Sequence, residues 1–231
     1  MASSPDIEEP ALFTVAPKYL HRFSRTERIL HWVHAAAFFV LLGSGLVLYV
    51  PKLSELVGRR PFVKDVHFDT GLAWMLAIAL ILLLGDRRGL RRTARELDAF
   101  DRDDRLWLRR IPRPQGRFNA GQKLNAALTA SFSLLFAVSG VLLWYGERNN
   151  SFRFASTILL HDGLMYLSIV LVIGHLYLAL IYPSTRHALR GITTGSVRSD
   201  WAREHHRKWV DEESTLRVSD NGGDGHRSRR R

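Results

Sequence analysis

Four long apolar runs dominate the chain, and nearly all of its charge lies between them. The first spans Ile29 to Val50 and stops at Pro51, and the second spans His67 to Gly85. The third covers Leu124 to Tyr145, and the fourth covers Thr157 to Tyr182, just before Pro183. All four are continuously apolar rather than striped at a 3.6-residue period, as expected of helices surrounded by lipid and not of helices resting on a soluble core. Each approaches the roughly 17–25 residues that cross a hydrocarbon layer about 30 Å thick, the second only with His67 to Asp69 placed in the interface. The pattern predicts an all-α membrane protein, a four-transmembrane-helix bundle.

Charge then orients the bundle. Residues 86–121 carry 11 lysines and arginines and the chain after Pro183 carries 11 more, against four in 51–66 and two in 146–156. Under the positive-inside rule both termini and the 86–121 loop are cytoplasmic, in a cytoplasmic (inner) membrane. The chain accordingly divides into a cytoplasmic N-terminal segment (1–28), a membrane domain (29–182), a cytoplasmic interfacial helix and partner-contact segment (183–213), and a tail (214–231). The tail has little to bury and is expected to be disordered. The opening MASSPDIEEP is acidic and polar, unlike a cleavable signal peptide. The net charge of +11 suggests nucleic acid, but arginines flanking spans are explained by topology and by anionic membrane lipid, and no nucleic-acid partner is expected.

Composition removes several chemistries. With no cysteine, the chain cannot form disulfides, Cys-ligated zinc sites, iron–sulfur clusters or a C-x-x-C-H haem attachment. Histidine is the residue that changes the picture. His161 and His175 lie 14 residues apart in the fourth run, which places them on one helix face and about 21 Å apart in depth. Given the orientation above, His67 shares the outer level with His161. His31 shares the inner level with His175. Ionisable groups inside spans are costly and usually functional. Imidazole is a common iron ligand, and haem can be held non-covalently by axial histidine. Two levels of two histidines suit two six-coordinate b-type haems. HWVH also offers His34 one turn from His31, and depth alone does not choose between them. His21, His187, His205, His206 and His226 fall in polar flanks, where solvated or partner-contacting side chains are expected.

Several motifs together resemble one family. HW opens the first span, GRFNAGQKLN precedes the third, LLHDG and GHLYLA lie in the fourth, and YPSTRHALRGITTGSVRSDWAREHHRKW follows. From about Tyr19 to Trp209 the chain is similar to the gamma subunit of respiratory formate dehydrogenase, a dihaem cytochrome b. The resemblance implies His31 rather than His34 as the first-span ligand, with His67, His161 and His175 completing the axial set. It also implies a quinone pocket beside the inner haem at Asn119, Gly121 and Gln122, for menaquinone or ubiquinone. Read by itself, the same stretch is also a helix start, with Asn119 as cap and Gln122 three residues on. The implied partners are an iron–sulfur subunit and a molybdenum- or tungsten-dependent catalytic subunit. The expected function is electron transfer from that enzyme through two haems to quinone, with formate chemistry on a partner. The alternatives are the cytochrome b subunit of a hydrogenase or related oxidoreductase and, from another class, a haem-free membrane anchor or metal transporter. Against a transporter, the spans carry no acidic residue besides Asp69 and Asp162.

Overall fold

The structure, a computed structural model, describes residues 18–216; the expected disorder of the tail falls outside them beyond Leu216, as does His226. Four helices are long and apolar enough to cross a membrane. They are α1 (Arg25–Tyr49), α3 (Arg60–Leu84), α6 (Ala120–Gly146) and α7 (Ala155–Leu176), with a wider π-type turn, Tyr177–Ile181, extending the last. Each starts before its apolar run because polar residues upstream are also helical. Ser24 caps α1 in a reciprocal capping box with Glu27, and the residues from Arg60 to Val66 lengthen α3 to 25 residues. Along these helices few residues are buried: Val63 in α3, Glu27 and Ser44 in α1, and four each in α6 and α7, Ser139 and Ser168 among them. An apolar exterior of this kind fits a lipid surround.

Two helical hairpins make up the membrane domain, α1 against α3 and α6 against α7. Side chains bridge them. Lys64 pairs with Glu147 at 2.6 Å, Phe68 stacks on Trp144, and Tyr49 meets Tyr166 edge-on. At one end lie only α2 (Pro51–Val57) and a single turn at Asn150–Phe152. The opposite, arginine-rich end is a small folded layer. It holds α4 (Arg87–Asp98), α5 (Arg102–Leu108), α8 (Leu189–Thr194) and α9 (Ser199–His205), together with a two-stranded antiparallel sheet.

In that sheet β1 (Tyr19–His21) pairs with β2 (Ser196–Arg198), Leu20 opposite Val197. Leu20, Val197, Trp201, Ala202 and Trp209 form its apolar core. The turn into β2 requires Gly195: its φ is +92°, and a β-carbon there would stand 2.9 Å from the Phe23 carbonyl oxygen. The single interfacial helix expected after the fourth span is therefore divided into α8, β2, α9 and a further helix at 207–216. Pro183 removes a donor and ends the membrane helix. The extended Ser196–Arg198 segment then closes onto β1.

His206 also departs from expectation. Instead of being solvated it is 1% exposed, in contact with Trp201 and Trp209. Its Nε2 accepts from Arg22 at 3.2 Å, so its Nδ1–H donates to the Gly116 carbonyl at 2.7 Å. Burial, and then the Arg22 charge, push its pKa down to about 3. An unfolded histidine titrates near 6.5, so the undocked segment binds a proton that the docked one refuses. Docking of the C-terminal segment is therefore fully present above about pH 6.5 and weakens as pH falls toward about 3, by on the order of 1 kcal/mol per pH unit. Hydrogen exchange across 199–210 should show protection falling between about pH 7.5 and 4.5. His206→Asn, which can accept and donate at the same places, should flatten the profile. Equal protection of the natural chain at both pH values would contradict this account.

Candidate functional site

The histidines meet across the two hairpins, in two pairs. His31 of α1 faces His175 of α7, with ring centroids 6.3 Å apart and planes at 47°. His67 of α3 faces His161 of α7, again at 6.3 Å, with planes at 68°. His161 and His175 lie on one unbroken helix, about 21 Å apart along it. The pairs are thus separate sites at separate depths, the first toward the arginine-rich end. His34 joins neither pair, and its Nδ1 accepts from the Trp74 indole at 3.2 Å.

Two imidazoles binding one metal from opposite sides have ring centres about 6 Å apart, because each nitrogen stands about 2 Å from the metal and about 1 Å from its own ring centre. Both pairs match that span. Among the described residues no group of three or more His, Cys, Asp or Glu gathers. Pairs suit a metal whose other positions are filled by a porphyrin. His31 adds a second indication, since its Nδ1 is buried without a hydrogen-bond partner among the described residues. Such an atom is costly to leave unsatisfied.

The outer pair is held by residues that the sequence reading passed over. Ser44 Oγ donates to the Val40 carbonyl at 2.7 Å and lies 2.8 Å from His67 Nδ1. Ser139 Oγ donates to the Leu135 carbonyl at 2.6 Å and lies 2.8 Å from His161 Nδ1. With each hydroxyl hydrogen committed to a carbonyl, the oxygen can only accept, so Nδ1 of each histidine carries the proton. That leaves Nε2 as the free donor atom for a metal. A serine facing inward from an apolar span was the available signal.

The 112–122 loop lies at the His31 end of the bundle. Arg117 Nη1 donates to Glu27, one turn before His31, at 3.2 Å. Asn119 caps α6 and Gln122 closes the capping box: the Asn119 side chain accepts from the Gln122 N–H at 2.9 Å, and Gln122 Oε1 accepts from the Asn119 N–H at 3.1 Å. The helix-start reading is thus realised, and Gly121 sits beside it against the Trp107 ring. Gln122 Oε1 also accepts from Arg22 at 3.2 Å. Arg22 is 2% exposed and packs over Phe23, Trp201 and Trp209. Burial and the charge of Arg117 lower its pKa to about 9, so it remains a cation at neutral pH. Its Nε and Nη1 are buried without hydrogen-bond partners among the described residues.

By sequence the chain is similar to known membrane cytochromes. The profile of the prokaryotic cytochrome b561 family matches residues 22–195. The chain is 28% identical over 207 residues to the formate dehydrogenase cytochrome b556(fdo) subunit of Escherichia coli (strain K12), covering 83% of this chain and 92% of that one. It is 25% identical over 203 residues to the formate dehydrogenase cytochrome b556 subunit of Haemophilus influenzae, covering 80% of each. The nitrate-inducible formate dehydrogenase cytochrome b556(Fdn) subunit of Escherichia coli (strain K12) is 23% identical over 211 residues, covering 84% of this chain and 92% of that one.

Proposed function

The chain belongs to the prokaryotic cytochrome b561 family, and from that footing we propose that it is the membrane subunit of a formate dehydrogenase, holding two b-type haems and passing electrons to a quinone. The observation that carries the reading is the pair of histidine pairs, each 6.3 Å between ring centres, joined by the single helix α7. When bound, each haem supplies a one-electron store. The chain's part is to hold the two at fixed depths. His31 and His175 would hold the inner haem, and His67 and His161 the outer one. Similarity to formate dehydrogenase cytochrome subunits supports association with a formate dehydrogenase complex, and an iron–sulfur subunit and a molybdenum- or tungsten-dependent catalytic subunit are the partners that the reading proposes. The arginine-rich end is assigned to the cytoplasm, in the inner membrane, by the positive-inside rule.

The quinone is placed at Asn119, Gly121 and Gln122, between the inner site and the cytoplasm. Support comes from Arg22, whose two unpartnered donors stand beside Gln122. A quinone slot is apolar with a few polar groups that fix its carbonyl oxygens, and the rings of Phe23, Trp201 and Trp209 supply apolar surface there. Gln122→Ala and Asn119→Ala should each keep both haems and their reduction by donor, yet slow reoxidation by a soluble quinone analogue in stopped flow. Cap loss by itself lowers stability by about 1 kcal/mol and leaves the rate of the folded fraction unchanged. Natural reoxidation rates in both variants would remove this loop from the quinone site.

A further inference from the structure

The two hairpins are built to one plan at the outer level. In α1 the chain reads Ser44-Gly45-Leu46-Val47-Leu48-Tyr49, and in α6 it reads Ser139-Gly140-Val141-Leu142-Leu143-Trp144. Both are Ser-Gly, three aliphatic residues and an aromatic. Each Ser-Gly step receives the outer histidine of the next membrane helix, 23 residues on in one case and 22 in the other. The hydroxyl-to-Nδ1 distance is 2.8 Å in both. The glycine admits the ring. A β-carbon at residue 45 would stand 3.3 Å from His67 Cε1, and one at residue 140 would stand 3.7 Å from His161 Cε1. The plan is not repeated at the inner level, where His31 Nδ1 has no partner among the described residues.

We propose that these paired Ser-Gly seats are positioning elements of the outer haem site: Ser44 and Ser139 hold His67 and His161 in the Nδ1–H tautomer, aim both Nε2 atoms at one iron, and lower the reduction potential of that haem relative to the inner one. The inference rests on the dihaem reading above. Its physical basis is a chain of hydrogen bonds. The Val40 and Leu135 carbonyls accept from the serine hydroxyls, which makes each serine oxygen a stronger acceptor for the imidazole N–H. Pulling on that proton makes the far nitrogen more basic, and a more basic ligand favours ferric over ferrous iron. An outer site that gives up its electron more readily than the inner site directs flow from outside to inside.

The test uses the full chain with Ser44→Ala, Ser139→Ala and the double variant, and with Ser→Thr at each position to return the hydroxyl. Redox titration should show the outer haem moving to higher potential and the inner haem unmoved. In the double variant a roughly tenfold loss of ferric over ferrous preference is expected, which is about 59 mV for one electron. Haem retention at the outer site should fall about 10–100-fold. Threonine should restore both, which a packing defect alone would not do for the potential. In the full chain produced under haem limitation, nitrogen chemical shifts of labelled histidine should show the Nδ1–H form at His67 and His161, and its loss with alanine. Unchanged outer potentials in all alanine variants, or threonine behaving as alanine, would overturn the proposal. A natural chain that binds no haem would overturn the dihaem reading instead, and the tautomer measurement would still decide the seats.

Discussion

Replacing His161 with alanine should leave a protein that holds the inner haem and has lost the outer one, and replacing His175 should do the reverse. The two residues share α7, yet each faces a different partner helix: His67 of α3 in one case and His31 of α1 in the other. About 21 Å of regular helix separates them, so a cavity at one level leaves the other level's ligands in register. Pyridine haemochrome assay should give about two haems per natural chain and about one per variant. His31→Ala should disturb the inner low-spin spectrum. His34→Ala should leave it intact, because the His34 ring is engaged by Trp74 and stands outside both pairs. One haem in the natural chain, or full content in either α7 variant, would contradict two independent sites. A spectrum altered only by the His34 change would reassign the inner ligand.

The spans were legible because lipid leaves a crude signal: uninterrupted apolarity over a membrane's thickness. The pairing of histidines by depth was legible for a related reason, since helix rise converts sequence separation directly into distance. What depth could not give was azimuth. His31 and His34 differ by one turn, and packing separates them: His31 faces His175, while His34 is engaged by Trp74. The serines were missed because a lone serine in a span ordinarily returns its hydroxyl to its own backbone. Ser44 and Ser139 do that and also serve a second helix. The arginine-rich layer was the least legible part. Tyr19–His21 and Ser196–Arg198 are three residues each and nearly the whole chain apart, so neither carries a local strand pattern. His206 reads as a surface residue in AREHHRKW, and its burial depends on Arg22 and Gly116, which arrive from two other segments.

Arg117→Ala is expected to be the most damaging single change in the arginine-rich layer. The guanidinium is the hub on which the N-terminal segment, α1, α4 and the 112–122 loop converge. It donates to Glu27 at 3.2 Å, to Glu96 at 2.6 Å and to the Arg22 carbonyl at 2.8 Å, and it also contacts Thr93. Its side chain is 10% exposed and that of Glu27 is 9% exposed, so removing the cation strands a carboxylate that water does not reach well. Breaking a buried pair from one side costs about 3–5 kcal/mol, whereas exposed pairs such as Arg92–Glu96 are worth at most about 1 kcal/mol. Thermal unfolding in detergent should therefore fall far more for Arg117→Ala than for Arg92→Ala. Adding Glu27→Gln should recover part of the loss, because the stranded charge is gone while the amide oxygen can still accept from Ser24 N–H, as one Glu27 oxygen does now, and the amide NH2 can donate to the Thr93 hydroxyl oxygen that Arg117 has vacated. The functional consequence is separable from the stability one. With the loop detached from the start of α1, reoxidation of the inner haem by quinone should slow in the folded fraction, while the outer haem, seated on Ser44 and Ser139 at the other end of the helices, keeps its spectrum and potential. Equal melting losses for the two arginine variants would mean that Arg117 is no hub. A shifted outer potential would mean that the two ends of the bundle do not act independently.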